Sequence, residues 1–312
     1  NVFSEPNGAS SWYPVNDHPR DKATYHFEIT VPQPWVVAAN GRLVETTDDG
    51  YTTRYVWQMD RAMASYLATV NIDRYEVVTD ETADGIVLRS YFPPGYAAGL
   101  RRNFEVLPEM LDYFAQLFGP YPFDEYGVVI AAEDNPVCEA SAGALETQTL
   151  ALHCPQPIMA EEFVIAHELA HQWFGDSVSL ENWQDLWLKE GLATYAEHLW
   201  EARGSGADGV SRSLADMSRG YLPRVPVGQP PPDELYSAET YLGGALVFHA
   251  LRLEVGDETF FDILRTVYQR YRDSYAGTDE FIAVAEEVSG QDLQAAFDAW
   301  LYEVGTPEMP EP

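Results

Sequence analysis

His167-Glu168-Leu169-Ala170-His171 is the first stretch whose residue types could do chemistry. Residues four apart on a helix share one face, so both imidazoles point at one spot. Two nitrogen donors so placed suit a tetrahedral zinc ion. Glu168 lies about 100° round such a helix from His167, near enough to act on a water held there. Eighteen residues separate His171 from Glu190, which stands in Trp187-Leu188-Lys189-Glu190-Gly191. A catalytic zinc keeps three protein ligands and an open position, and a carboxylate from the following helix is a usual third ligand. Glu197, two turns further on, is a candidate to orient a ligand histidine.

The elements that must hold these residues can be read around them. Phe163-Val164-Ile165-Ala166 before the motif and Trp173-Phe174 after it predict a buried helix over 161–174. Helical patterns also cover 184–202, 240–255, 257–272, 278–288 and 291–302. Leu100 to Phe118 carries Phe104, Leu107, Leu111, Phe114 and Phe118 at helical spacing. Gly204–Gly209 and Pro223–Pro232 read as loops. The first 80 or so residues read as β. Tyr25, Phe27, Ile29 and Val31 alternate with polar neighbours, the period of a half-buried strand. Asn40-Gly41 and Asp49-Gly50 are hairpin-type turns. Ala62–Val70, Ile86–Phe92 and Gly127–Ala132 are further strand candidates. The expected organisation is a partial β domain over 1–80 and a catalytic domain over 81–312.

Composition narrows the possible partners. The 312 residues are 46% hydrophobic and 13% aromatic, enough for a sizeable core. The net charge of −32 excludes nucleic acid and anionic membrane surfaces as partners; so acidic a surface serves solubility, as in a salty habitat, or attracts cationic substrates such as free peptide amines. No apolar run approaches the length of a membrane span, so no membrane insertion is expected. The start has no initiator Met, basic cluster or apolar core, so a leader peptide is absent or already removed. Cys138 and Cys154 could pair or remain as two buried free thiols.

With these segments in view, the chain resembles the gluzincin aminopeptidases, the family of aminopeptidase N and leukotriene hydrolase. Glu5-Pro6-Asn7-Gly8-Ala9, Trp12-Tyr13-Pro14-Val15-Asn16-Asp17 and Lys22-Ala23-Thr24 resemble a segment of the family's N-terminal β domain. Trp183 to Gly191 resembles the segment around the third zinc ligand, and Tyr241-Leu242-Gly243-Gly244 a downstream tyrosine motif. The exopeptidase signature G-A-M-E-N stands here as Gly143-Ala144-Leu145-Glu146-Thr147. The resemblance implies an α+β fold, a β-sandwich-like N-terminal part followed by a thermolysin-like, mainly helical catalytic domain. It implies one Zn²⁺ on His167, His171 and Glu190, with Glu168 as general base. Tyr241 would stabilise the oxyanion; Tyr236 is the competing choice. Glu146 and Glu5 would hold the substrate's α-amine, with the backbone of Gly143 and Ala144 beside the peptide.

The expected activity is zinc-dependent removal of N-terminal residues from peptides with a free N-terminus, through a zinc-activated water. The rivals are a thermolysin-like endopeptidase, epoxide hydrolysis at the same site, and an inactive binding form. Family members usually have a longer β domain and further C-terminal domains, so this chain is expected to be a fragment or a short bacterial form. A secreted or cell-envelope location is favoured over the cytoplasm.

Overall fold

A computed structural model describes residues 1–132, 135, 138 and 143–310. The chain forms two units, one of Asn1–Leu111 with Tyr121–Gln172, the other of Asp112–Pro120 with Trp173 onward.

The first unit is built on sheets. β1 (Lys22–Pro32) pairs antiparallel with the long β4 (Thr52–Ala64), which also pairs with β3 (Arg42–Asp48). The alternation in β1 is real: Thr24, His26, Glu28 and Thr30 are exposed, while Tyr25, Phe27, Ile29 and Val31 are wholly or half-buried. Asp49-Gly50 joins β3 to β4 as a hairpin, with Gly50 at φ +88°. Asn40-Gly41 does not make a hairpin. β2 (Val36–Ala39) pairs with β5 (Val70–Asp73) instead of with β3. The dipeptide therefore carries the chain from one sheet to another. Residues 62–70 are not one strand either, because a 3-10 turn at Ser65–Leu67 separates β4 from β5.

A second sheet has the order β10-β11-β9-β7-β6: Ala144–Leu145, Ala151–His153, Val128–Ile130, Val87–Phe92 and Glu76–Glu81. β8 (Glu125–Tyr126) pairs with β7. Its middle strands are parallel. Val128, Val129 and Ile130 are all buried, as strands covered on both faces require. Cys138 and Cys154 are joined in a disulfide.

The helix expected over 100–118 is broken. α1 (Ala98–Arg101) passes through a 3-10 segment to α2 (Leu107–Phe118), whose second residue is Pro108, tolerated in a first turn. The motif helix is α3 (Glu162–Ala170).

The second unit is mainly helical. It contains α4 (Trp187–Glu201), α5 (Gly206–Met217), α6 (Gly244–Val255), α7 (Asp257–Tyr271), α8 (Thr278–Ser289) and α9 (Gln294–Tyr302). A two-stranded parallel sheet joins β12 (Val178–Leu180) to β13 (Ser274–Ala276). The loop expected at 204–209 gives way to α5 at Gly206, because Val210 and Leu214, four apart, are buried. Trp187, Phe248 and Phe281 pack with centroids 5.2–5.9 Å apart. Among the described residues no helix is long and apolar enough to cross a membrane.

Candidate active site

α3 buries Val164, Ile165, Ala166, Leu169 and Ala170, so it is apolar on nearly every side, as a central helix must be. The helix ends at Ala170, and His171 is its C-cap, still in helical conformation. The His171 N–H donates to the carbonyl of His167 at 3.3 Å, so the one-turn relationship survives the helix end. The two rings lie with centroids 4.8 Å apart, and they offer ring nitrogens within 4.8 Å of each other. His171 is buried and His167 half-buried. Glu168, 5% exposed, places a carboxylate in the same dry environment.

Glu146 follows β10 and is buried. Its carboxylate and that of the half-buried Glu5 approach within 4.8 Å. Two carboxylates so close repel unless a cation is shared between them, so the pair favours a positive ligand. Among the described residues β10 is an edge strand, antiparallel to β11 on one side only. Such an edge leaves backbone groups for an added strand. Gly143 lies just before it, its carbonyl accepting from Cys154 N–H at 3.0 Å. Thr147, at the Asn position of the exopeptidase signature, closes a local turn. Its hydroxyl donates to the Leu150 carbonyl, and the Leu150 N–H returns a bond of 2.8 Å.

In the second unit, Glu190 lies in the first turn of α4 and is 3% exposed. The Lys189 ammonium, wholly buried, donates to Glu190 Oε1 at 2.7 Å. The start of α4 is pinned to the start of α8. Asp185 accepts from both the N–H and the hydroxyl of Thr278, at 3.0 and 2.8 Å, and Trp187 Nε1 donates to that hydroxyl at 3.0 Å. Glu197 is half-buried further along α4.

Tyr241 sits in a π-turn, Glu239–Gly243, that leads into α6. Such turns are frequent at functional sites. The turn packs on α4, so Glu190 and Tyr241 belong to one helix pair. Tyr241 is half-buried, whereas Tyr236 is 42% exposed on the surface.

Two residues at this site escaped sequence reasoning. Lys189 is a lone cation in an apolar stretch beside a candidate ligand, and that contrast was the available signal. Gln172 follows His171 directly, and its side chain reaches the loop of Glu146, with Nε2 donating to the Glu146 carbonyl at 3.0 Å. Nothing in the sequence points to that contact.

The Peptidase family M1 domain matches residues 102–300, and the Peptidase M1 N-terminal domain matches residues 4–67. Aminopeptidase M1 of Arabidopsis thaliana is 28% identical over 97% of this chain, and aminopeptidase N of Streptomyces lividans 29% over 93%. The chain spans 36% of the length of each. A crystal structure of a mutant M1 zinc metallopeptidase from Deinococcus radiodurans, bound to a Tyr-Ser-Ala substrate, superposes with a TM-score of 0.89 at 32% identity. That alignment covers 99% of this chain and 71% of the other. A related structure, a two-domain M1 zinc metallopeptidase mutant bound to L-arginine, superposes with the same TM-score of 0.89 at 32% identity. By these matches, over well more than half its length, the chain belongs to peptidase family M1.

Proposed function

We propose that this chain is a zinc aminopeptidase, hydrolysing the N-terminal peptide bond of peptides. His167, His171 and Glu190 would hold one zinc ion. Two imidazoles and a carboxylate are a donor set that suits zinc and leaves a position open. When bound, the ion polarises the scissile carbonyl and acidifies the attacking water.

The remaining steps belong to side chains of the chain. Glu168 takes the water's proton and passes it to the leaving amine. The Tyr241 hydroxyl donates to the carbonyl oxygen as it gains charge. Glu146 and Glu5 hold the substrate's ammonium, which fixes register so that only the first peptide bond meets the reacting groups. The edge strand at Gly143 and Ala144 carries the peptide backbone, and Glu197 steadies the ligand set from behind. The division into a β domain over 1–80 and a catalytic domain over 81–312 is part of the same proposal. So is a secreted or cell-envelope location, which the Cys138–Cys154 disulfide supports.

The observation that carries this reading is the approach of Glu5 and Glu146 within 4.8 Å beside an edge strand. An endopeptidase has no use for a buried site that selects a cation there. A charge-assisted contact to an ammonium is worth roughly 1.5–3 kcal/mol, about tenfold to a hundredfold in rate. Free aminoacyl fluorogenic substrates should be cleaved and their N-acetylated forms nearly ignored. Glu146→Ala should lose most activity on the free substrates and narrow the gap. Cleavage of blocked peptides as fast as free ones would hand the site to the endopeptidase reading.

A further inference from the structure

The side chain of Gln172 is wholly buried and uses both ends of its amide. Nε2 donates to the backbone carbonyl of Glu146 at 3.0 Å, and Oε1 accepts from the backbone N–H of Thr149 at 2.8 Å. One amide thus grips Glu146, just before the Thr147–Leu150 turn, and Thr149 within it. That turn is not a relaxed one. Thr149 has φ +68°, a region β-branched residues rarely occupy. Such a conformation persists only where the surroundings over-determine it. Further bonds fix it from the opposite side. Asn40 Nδ2 donates to the Gln148 carbonyl at 2.7 Å, and the Gly41 N–H donates to Thr149 Oγ1 at 2.7 Å.

What distinguishes Gln172 is its place in the chain, one residue after His171. The Asn40 and Gly41 bonds tie the turn to the sheets, whereas the Gln172 amide ties it to the end of the histidine-bearing helix. We propose that Gln172 is a positioning residue that sets the separation between the α-amine anchor Glu146 and the reaction centre on α3. The proposal rests on the aminopeptidase reading. A substrate's ammonium and its first carbonyl are separated by a fixed length of covalent chain. An anchor free to drift would meet the ammonium out of register with the reaction centre, so binding of substrates with a free amine weakens first.

Gln172→Met has similar length and removes both hydrogen bonds. Gln172→Glu retains an acceptor for Thr149 but loses the donor to Glu146. Five quantities are measured in zinc-loaded protein: zinc per chain, KM and kcat on a free aminoacyl substrate, the ratio of free to acetylated cleavage, and affinity for L-leucinol, an amine with no scissile bond. The expected result is unchanged zinc, a KM raised about tenfold or more with a smaller change in kcat, and a free-to-acetylated ratio reduced about tenfold. Leucinol affinity should fall in step. Gln172→Glu should lie between wild type and Gln172→Met.

Equal losses on free and blocked substrates with unchanged leucinol affinity would overturn the proposal, as would zinc loss in proportion to activity. If neither variant folds, hydrogen exchange in wild type decides. The Thr149 amide must be as protected as the His171 amide, and a fast-exchanging Thr149 refutes the coupling. Failure of the aminopeptidase reading looks different, because wild type itself would then show no preference for the free amine.

Discussion

Gly191 and Gly244 meet backbone to backbone. A Cβ on Gly191 would stand 2.6 Å from the Gly244 Cα, and a Cβ on Gly244 would stand 2.7 Å from the Gly191 Cα. Gly191 follows Glu190, and Gly244 lies one turn past Tyr241. This contact holds the start of α4 against the start of α6, so the proposed ligand Glu190 and the proposed oxyanion donor Tyr241 lie on one helix pair. Gly191→Ala and Gly244→Ala should each destabilise the fold by about 1–3 kcal/mol through overpacking. Each should also lower kcat, because the helices must part. Urea midpoints and steady-state rates check this. Near-wild-type values for either variant would show that the gap can relax at no functional expense.

Metal binding should depend on His167, His171 and Glu190 and not on Glu168. Elemental analysis should find about one zinc per chain in wild type and in Glu168→Gln. His167→Ala, His171→Ala and Glu190→Gln should lose most of it. Full activity after exhaustive chelation would refute the zinc assignment.

The two residues assigned to proton transfer and oxyanion binding should separate in mutant kinetics. Glu168→Gln should lower turnover by about 10²–10⁴. Tyr241→Phe, which deletes only a hydroxyl, should lower kcat by about 10²–10³ with little change in KM. The exposed Tyr236→Phe should have little effect. A reversal of the two tyrosine variants would move the oxyanion role to Tyr236.

His153 provides a pH test. Its Nδ1–H donates to the Met159 carbonyl at 2.8 Å, and burial pushes its pKa down to about 4. The unfolded chain takes up a proton near pH 6.5, while the folded chain stays neutral until about pH 4. The contribution to stability is therefore full above pH 6.5 and is lost as pH falls through that window, by at most about 1.4 kcal/mol per pH unit. His249, pushed down to about 4 by burial and then by Arg252 and His198, adds the same sign. His153→Gln keeps a donor but cannot titrate. The variant should lose less stability than wild type between pH 7 and pH 5, measured by urea titration.

The Cys138–Cys154 disulfide closes a loop of sequence separation 16 that includes Glu146. Loops of about this size contribute roughly 3 kcal/mol by restricting the unfolded chain. The Cys138→Ser/Cys154→Ser double variant should unfold at lower temperature, and reductant should act on wild type but not on that variant. Equal melting temperatures for all three would show that the bond adds nothing.

Much of the candidate site was legible because helical periodicity alone carries it. His167, Glu168 and His171 need only one turn of helix, and Glu190 needs only the next helix to begin where Trp187 and Leu188 predict burial. What escaped depends on distant partners. Asn40-Gly41 has hairpin chemistry, yet its flanking strands pair elsewhere, and its donors reach Leu67, Gln148 and Thr149 instead. Gln172 meets a turn 26 residues upstream in sequence, which no local pattern encodes. The pairing of Cys138 with Cys154 required strand positions. The π-turn beneath Tyr241 read as uninterrupted helix, because it lies at the start of the segment and the apolar pattern of α6 only begins after it. Helix propensity also hid α5, where burial of Val210 and Leu214 outweighs two early glycines, Gly206 and Gly209.

The chain has two lysines, Lys22 and Lys189, and the second is sealed within the folded protein. An amine-directed reagent therefore finds a single side-chain amine in the native state, at the start of β1. Apart from the N-terminal amine, a fluorophore or surface tether attached in this way would sit at one known position, far in sequence from Glu168 and Tyr241, without any engineered cysteine. Lys189 becomes available only when the start of α4 opens. Uptake of a second label, followed by mass spectrometry, would count those openings directly, and would time the exposure of the segment that carries Glu190.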